Sequence, residues 1–133
     1  MPLRNGKLIL ERQVSDFAER FTVDPSNLLS VGTVVGLATS GNYEIVISTG
    51  SSDNKTIGIV YSLDRTDNPY VALSGRCLVN TRSAVAKGDT LVLSSSKGKL
   101  TTNNAASFEI VKAIAMTADS REHGQVECVL VRG

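Results

Sequence analysis

Glycine-centred turns divide the stretch Tyr70–Leu100 into short apolar runs, and this constrains the fold more than any other feature. Gly88 and Gly98 each lie between two apolar runs, where a residue that reaches positive φ lets the chain reverse. Between Tyr70 and Asn80 apolar and polar residues alternate, which is the period of a half-buried strand. The stretch therefore predicts a strand, a wide turn, a second strand, a tight turn and the start of a third strand.

The same pattern of short apolar runs separated by polar turns extends through most of the chain and indicates an all-β fold. Polar loops at 49–55, 63–69 and 118–124 separate apolar runs that predict further strands: Thr33–Ala38, Tyr43–Ser48, Thr56–Ser62, Phe108–Met116 and Gln125–Arg132. Short strands with closely spaced turns are typical of a small β-barrel or β-sandwich of antiparallel strands. Val14–Phe21 and Asp24–Leu29 predict two short helical turns, with Ser15 and a proline marking their starts.

Length and composition favour one globular β domain at 14–133, preceded by an N-terminal arm at 1–13. The 133 residues include 41% apolar and 20% charged residues, which is a globular composition. The formal net charge of +1 provides no field that attracts nucleic acid or a membrane surface. We expect neither partner, no membrane span and no signal peptide, and hence synthesis in a cytoplasm.

The alternation of Tyr70–Asn80 assigns its side chains to two faces. The predicted apolar face consists of Val71, Leu73, Gly75, Cys77 and Val79. Leu78 interrupts the polar face, and in the last strand Val129 and Val131 lie opposite Cys128 and Leu130. One core cannot cover both faces of an outer strand, so the pattern predicts a second buried surface. We expect a subunit interface there, formed by Leu78, Val129 and Val131.

Polar residues provide no motif for catalysis, a metal or a cofactor. His123, the only histidine, lies in a polar loop without the partners of a triad or metal site. The loop aspartates have no calcium-loop spacing, so turn chemistry explains them better: Asp53, Asp64, Asp67 and Asp119. The mild basic cluster of the central stretch is expected to solvate strand edges and consists of Arg76, Arg82, Lys87, Lys97 and Lys99.

The two cysteines, Cys77 and Cys128, each lie inside an apolar strand. Two buried free thiols are the favoured interpretation, because cysteine is often a core residue. A disulfide requires that the two strands are neighbours, which the sequence does not reveal. The spacing argues against a metal site.

The order of elements resembles the head-decoration, or cement, proteins of tailed phages. The resemblance is carried by Leu29–Leu37 (LSVGTVVGL), then Gly41-Asn42-Tyr43, then Ile57–Val60, and later by residues 72–100, Ile114 and 126–133. The later portion is equally similar to small β domains of phage fibres. About three quarters of the chain takes part, through generic turn-and-strand patterns.

The resemblance implies a non-enzymatic virion protein without cofactors. It implies a homotrimer that binds the major capsid protein on the capsid exterior and stabilises the expanded shell. In such proteins an N-terminal arm commonly pairs with capsid strands, with backbone hydrogen bonds and apolar side chains providing affinity. By position, the matching arm residues here are Pro2, Leu3, Arg4, Lys7, Leu8, Ile9, Leu10 and Arg12.

Two other functions stay open from the sequence. A receptor-binding or glycan-binding head domain of a phage tail fibre predicts a groove among the loops 49–55, 63–69 and 118–124. A self-cleaving or hydrolytic β domain requires a nucleophile and a base, and the sequence shows no recognisable pair.

Overall fold

The sheet is built around one long strand, the strand predicted at Tyr70–Asn80. The computed structural model describes residues 17–39, 41–48, 55–102 and 112–131. Within these ranges the chain is all-β, as predicted, with ten strands and no helix. They are β1 (Phe17–Arg20), β2 (Thr22–Val23), β3 (Val34–Leu37), β4 (Glu44–Ile47), β5 (Thr56–Ser62), β6 (Tyr70–Asn80), β7 (Thr90–Leu93), β8 (Leu100–Thr102), β9 (Lys112–Ala115) and β10 (Gln125–Val131).

The described strands form one continuous sheet in the order β2-β4-β3-β5-β6-β10-β9-β7-β8, and β1 also pairs with β6. Neighbours are antiparallel except for the short parallel pair β2–β4. The first part of β6 lies between β5 and β1, whereas its second part, from Gly75 to Asn80, pairs with β10. The sheet is not closed into a barrel; β6 joins a first half (β1–β5) to a second half (β7–β10) in a sandwich-like fold.

Both halves contribute to a first hydrophobic core. Its members are apolar or small side chains that alternate along the strands, so every second residue is removed from water. The first half supplies Val34 and Ile59, and β6 supplies Ala72, Cys77 and Val79. The chain after β6 supplies Val85, Leu91, Leu93, Leu100, Ala113, Ala115, Val126, Cys128 and Leu130. Val126, Cys128 and Leu130 lie on one face of β10 and all belong to this core.

A second hydrophobic core covers the other face of the first half. Its buried members are Phe21, Val23, Val35, Ile45, Val60 and Val71, and four partly buried residues pack against them, namely Leu29, Ile57, Leu63 and Leu73. Most apolar residues on both faces of β3 and β5 are therefore buried within one chain, although Leu37 at the end of β3 stays 44% exposed. One face of the first half packs in the first core and the other packs in the second.

The prediction that one face of β6 carries all five alternating apolar positions is wrong. Val71 packs in the second core, whereas Cys77 and Val79 pack in the first. Gly75, between them, has a φ of 89°, a conformation that glycine reaches without steric cost. This residue interrupts the alternation, so odd-numbered residues point to different cores before and after it.

The predicted helical turns do not form helices. Residues Phe17–Arg20 form β1, which pairs antiparallel with β6, because a short helix is marginal alone while an edge of β6 offers hydrogen-bond partners. The predicted turn that begins at Asp24 is present: the Asp24 carboxylate accepts from the amide of Ser26 at 2.9 Å, and the Asp24 carbonyl accepts from the amide of Asn27 at 2.9 Å. The segment makes this one turn and does not continue as a helix.

The two predicted glycine turns of the central stretch are confirmed. Gly88 and Gly98 have φ values of 91° and 72° and precede β7 and β8. Gly98 also ties the two halves together, because its amide donates to Ser48 and its carbonyl accepts from Val34, at 3.0 and 2.9 Å. A side chain at this position would lie 3.0 Å from Ile47.

Candidate functional site

Strands β6, β10 and β9 lie side by side, and their registers place alternate residues on two faces. On the inner face Cys77 lies opposite Cys128, which lies opposite Ala115, and all three are buried. Because side chains alternate along a strand, the residues between them point away from the first core. We call this surface the outer face; its residues are Arg76, Leu78, Ile114, Met116, Glu127 and Val129.

The outer face exposes three large apolar side chains. Leu78, Met116 and Ile114 are 38%, 40% and 42% exposed, and Val129 between them is half-buried. Val129 lies directly opposite Ile114 on β9 and opposite Arg76 on β6. Single exposed apolar residues are ordinary, but neighbouring ones on adjacent strands form a patch of the kind that marks interaction sites.

The two charged residues of the outer face neutralise each other. An Arg76 guanidinium nitrogen lies 3.3 Å from a Glu127 carboxylate oxygen, and both side chains are about half exposed, at 51% and 48%. An ion pair this exposed contributes little to stability. Its consequence for the surface is that the middle of the outer face carries no net charge.

The structure places two of the three predicted interface residues on this face. Leu78 and Val129 belong to it, whereas Val131 pairs with Lys112 at the end of β10 and its side chain lies outside the described residues. The sequence reasoning missed Ile114 and Met116. The alternation of alanines at 113 and 115 with larger apolar residues at 114 and 116 was the available signal.

The predicted capsid-binding arm, Pro2 to Arg12, lies outside the described residues. Its boundary with the domain is nevertheless close to an anchored strand, because β1 begins at Phe17 and pairs with the first part of β6.

The basic residues of the central stretch do not form one patch. Arg76 pairs with Glu127, and Arg82 lies 3.4 Å from Glu122. The Lys99 ammonium donates to Nδ1 of His123 at 2.7 Å. Each of these three cations therefore has a separate partner, and Arg76 lies on the central strand β6 rather than on an edge strand.

His123 and Asp119 lie in the same loop, and both residues contribute to the turn before β10. His123 is exposed and adopts a φ of 56° in the turn before β10. Asp119 accepts from the Arg121 guanidinium at 2.7 Å, and from the amides of Arg121 and Gln125 at 2.9 and 3.0 Å. These hydrogen bonds, that of the guanidinium first, hold the pKa of Asp119 well below its usual range. The carboxylate is already occupied, and turn chemistry explains it, as predicted.

The groove expected for a glycan-binding head is not formed by the described loops. The loop 63–69 leads into the start of β6, where the Pro69 carbonyl accepts from the amide of Phe21. The loop 118–124 lies at the other end of β6, where the Gly124 carbonyl accepts from the amide of Thr81. A strand rises about 3.3 Å per residue, so the long strand β6 holds these loops far apart.

No protein-family model and no curated protein matches the chain. In the part of the chain that the structure describes, no helix has the length and apolar character needed to cross a membrane. Among those same residues, no three histidine, cysteine, aspartate or glutamate side chains come together as ligands for a metal ion.

Proposed function

We propose that this chain is a structural virion protein that binds the outside of a phage capsid as a homotrimer and stabilises the expanded shell. The observation that carries the proposal is the outer face, where Leu78, Ile114 and Met116 are exposed on the same surface as a neutralised ion pair. The centres of protein interfaces are likewise apolar and poor in net charge. A second copy that covers this face removes the apolar area from water.

The polar groups of the described residues favour binding over catalysis in this proposal. The carboxylate of Asp119 has its hydrogen-bonding capacity taken up within its own loop. Arg82 and Glu122 form an exposed ion pair at the surface. We therefore propose a protein without enzymatic activity and without a cofactor, whose partners are its sister copies and the major capsid protein rather than nucleic acid or a membrane.

In the proposed complex, the arm from Pro2 to Arg12 contacts the capsid by adding a strand to a capsid sheet. Backbone hydrogen bonds supply affinity, and Leu8 and Leu10 fill apolar pockets. The pairing of β1 with β6 supports this arrangement, because it attaches the arm to the central strand of the domain. A trimer brings three arms to one site, so weak single contacts combine through effective concentration.

The test of the interface is a pair of leucine-to-lysine variants. Leu78→Lys places an ammonium on the outer face, whereas Leu28→Lys makes the same change at a leucine that is 86% exposed on the turn after Asp24. Glu127, opposite residue 78, is already paired with Arg76, so the added ammonium leaves the outer face with a net positive charge. Burying this charge costs more than about 1.4 kcal/mol, so we expect L78K to weaken trimerisation at least about tenfold. Light scattering during size-exclusion chromatography reports the mass of wild type and both variants.

Co-sedimentation with expanded empty heads tests the capsid partner. We expect wild type and L28K to bind, and a chain that lacks residues 1–12 to stay trimeric but remain in the supernatant. A wild-type protein that is monomeric at every concentration contradicts the interface. A trimer that never sediments with heads contradicts the capsid assignment and favours the fibre-head alternative, which receives less support because its described loops lie at opposite ends of β6.

A further inference from the structure

The two cysteines, which are 51 residues apart in sequence, face each other in the middle of the sheet. Cys77 on β6 and Cys128 on β10 are directly opposite partners in the antiparallel register. Their Sγ atoms lie 3.9 Å apart, and both thiols are free and buried in the first core. The favoured interpretation from the sequence, two buried free thiols, is thus confirmed, and the strands are also neighbours.

This placement satisfies the backbone requirement of a disulfide. Opposite residues of an antiparallel pair have Cα atoms about 4.5–5.5 Å apart, which falls within the range of about 4.4–6.8 Å found for disulfides. The sulfurs need to approach by roughly 2 Å, which rotation of the two side chains supplies. The strands themselves do not have to separate or shift register.

We propose that Cys77 and Cys128 form a reversible cross-strand disulfide when the protein meets a small two-electron oxidant such as hydrogen peroxide. In the first step the Cys77 sulfur attacks peroxide: an S–O bond forms, the O–O bond breaks, and one water leaves. In the second step the Cys128 sulfur attacks the Cys77 sulfenic acid, the S–S bond forms, the S–O bond breaks, and a second water leaves. Two thiols are oxidised and one peroxide is reduced to two waters.

Access assigns the first step to Cys77. This residue is 7% exposed and, with Val31, Tyr61 and Arg76, lines a surface cavity of about 160 Å³. Cys128 is fully buried, and its hydrogen bond to Cys77 together with burial raises the pKa of its thiol. Cys128 is therefore the slower thiol toward peroxide and acts as the resolving thiol: when its sulfur attacks the sulfenic acid beside it, its proton leaves with the hydroxyl group as the second water.

The disulfide would join β6, the strand shared by both halves of the sheet, to its neighbour β10. Closing a loop of about 50 residues restricts the unfolded chain, and for a domain of this size we expect oxidation to raise Tm by on the order of 10 °C. Reduction with dithiothreitol returns Tm to its starting value.

The test is to treat the folded full-length chain with excess hydrogen peroxide, unfold it, and alkylate the remaining thiols. We expect no alkylated cysteine, a cross-linked peptide that joins Cys77 to Cys128, and full alkylation after reduction. This thiol count is unaffected by oxidation of Met116, which is exposed. Cys128→Ala is the matched variant: it retains Cys77 and should show no intramolecular bond and no rise in Tm.

Two results overturn the proposal. One is wild-type protein that retains two alkylatable thiols after native treatment. The other is a bond found only between chains, as a dimer that reductant separates. Both readouts are taken on wild type, so the proposal stays falsifiable even if C128A fails to fold. The proposal does not rest on the capsid assignment, and either one can fail alone.

Discussion

One carboxylate organises the loop between β9 and β10. The Asp119 side chain is only 8% exposed, although the Arg121 side chain that covers it is 74% exposed. Besides the guanidinium, two backbone amides point at the carboxylate, and a side chain on Gly124 would come within 2.5 Å of it. The carboxylate at 119 therefore requires a small residue at 124. Asp119 sets the path of the chain into β10.

We expect Asp119→Asn to lower the stability of the fold at pH 7. The folded state depresses the pKa of Asp119, so the carboxylate is favoured by folding. Its contribution is complete above the unfolded pKa of about 3.9 and is lost as pH falls through the lower folded pKa. The difference between wild type and D119N in urea denaturation should therefore be present at pH 7 and shrink in acid.

Asp67→Asn is the control for this measurement, because it removes the same charge from an exposed turn residue. If D119N and D67N have equal urea midpoints at pH 7, the hydrogen bonds of Asp119 do not stabilise the fold. If the D119N deficit persists unchanged in acid, the charge is not its cause.

At the scale of elements, the two parts of β6 pair with different strands and direct their odd-numbered apolar residues into different cores. Its first part is covered by β1 and β5 and points Val71 into the second core, and its second part pairs with β10 and points Val79 into the first. Gly75 makes the change of face between them, at a φ of 89°. The division of the sheet into two halves depends on this residue.

We expect Gly75→Ala to destabilise the protein more than Gly88→Ala. The two glycines have almost the same φ, 89° and 91°, so both variants incur a similar backbone cost of about 1 kcal/mol. Nothing lies within 4 Å of a side chain added at Gly88, whereas Gly75 is buried in the central strand. The total for G75A should reach about 2 kcal/mol or more.

Urea denaturation monitored by circular dichroism gives the free energy of unfolding for both variants. Equal losses at the two sites would show that only the φ preference matters, and that the buried position of Gly75 adds nothing.

Much of this element structure was predictable from local chemistry. Alternation and turn residues located β5 and β6 with their observed bounds, and positive φ was placed correctly at Gly88 and Gly98. The change of face at Gly75 was not predicted, because period-two counting assumes an uninterrupted strand, although a glycine inside a strand is a known signal for a bulge. β1 was missed because its partner is distant in sequence.

The candidate surface was likewise predictable only in part. The pattern around Leu78 and Val129 predicted an apolar outer face, because it consists of residues close together in the sequence. The registers that bring Ile114 beside Val129, and Cys77 beside Cys128, join segments far apart in the chain. Register across such distances is set by the packing of whole strands, which one sequence does not display.

At the scale of the whole molecule the two halves are covered unequally. The second core covers the first half with residues of the same chain, including Phe21, Val23 and Leu63. The described residues provide no comparable cover for the outer face of the second half, where Leu78 and Ile114 remain 38% and 42% exposed. The first half also exposes Leu37 and Tyr43, at 44% and 73%, but the outer face combines three exposed apolar residues on one three-stranded surface, and this continuity directs the proposed assembly to the second half.

The proposed subunit interface and the proposed disulfide involve the same cavity, and this yields a last prediction. The cavity beside Cys77 is lined by three residues of the outer face, Arg76, Leu78 and Glu127. If sister copies cover that face, they also cover the route of peroxide to Cys77. We therefore expect the disulfide to form more slowly in trimers than in monomers obtained by dilution or by Ile114→Lys, a variant whose site does not line the cavity.

The rate is followed by quenching the peroxide reaction with acid, unfolding the protein and counting alkylated thiols at each time. Leu28→Lys serves as the control and should react as slowly as wild type at a concentration where both are trimeric. Equal rates in trimer and monomer would mean that assembly uses a different surface, even if the disulfide itself forms. A rate that falls as protein concentration rises through the trimerisation range would locate the interface over the mouth of the cavity, half of whose lining residues belong to the outer face.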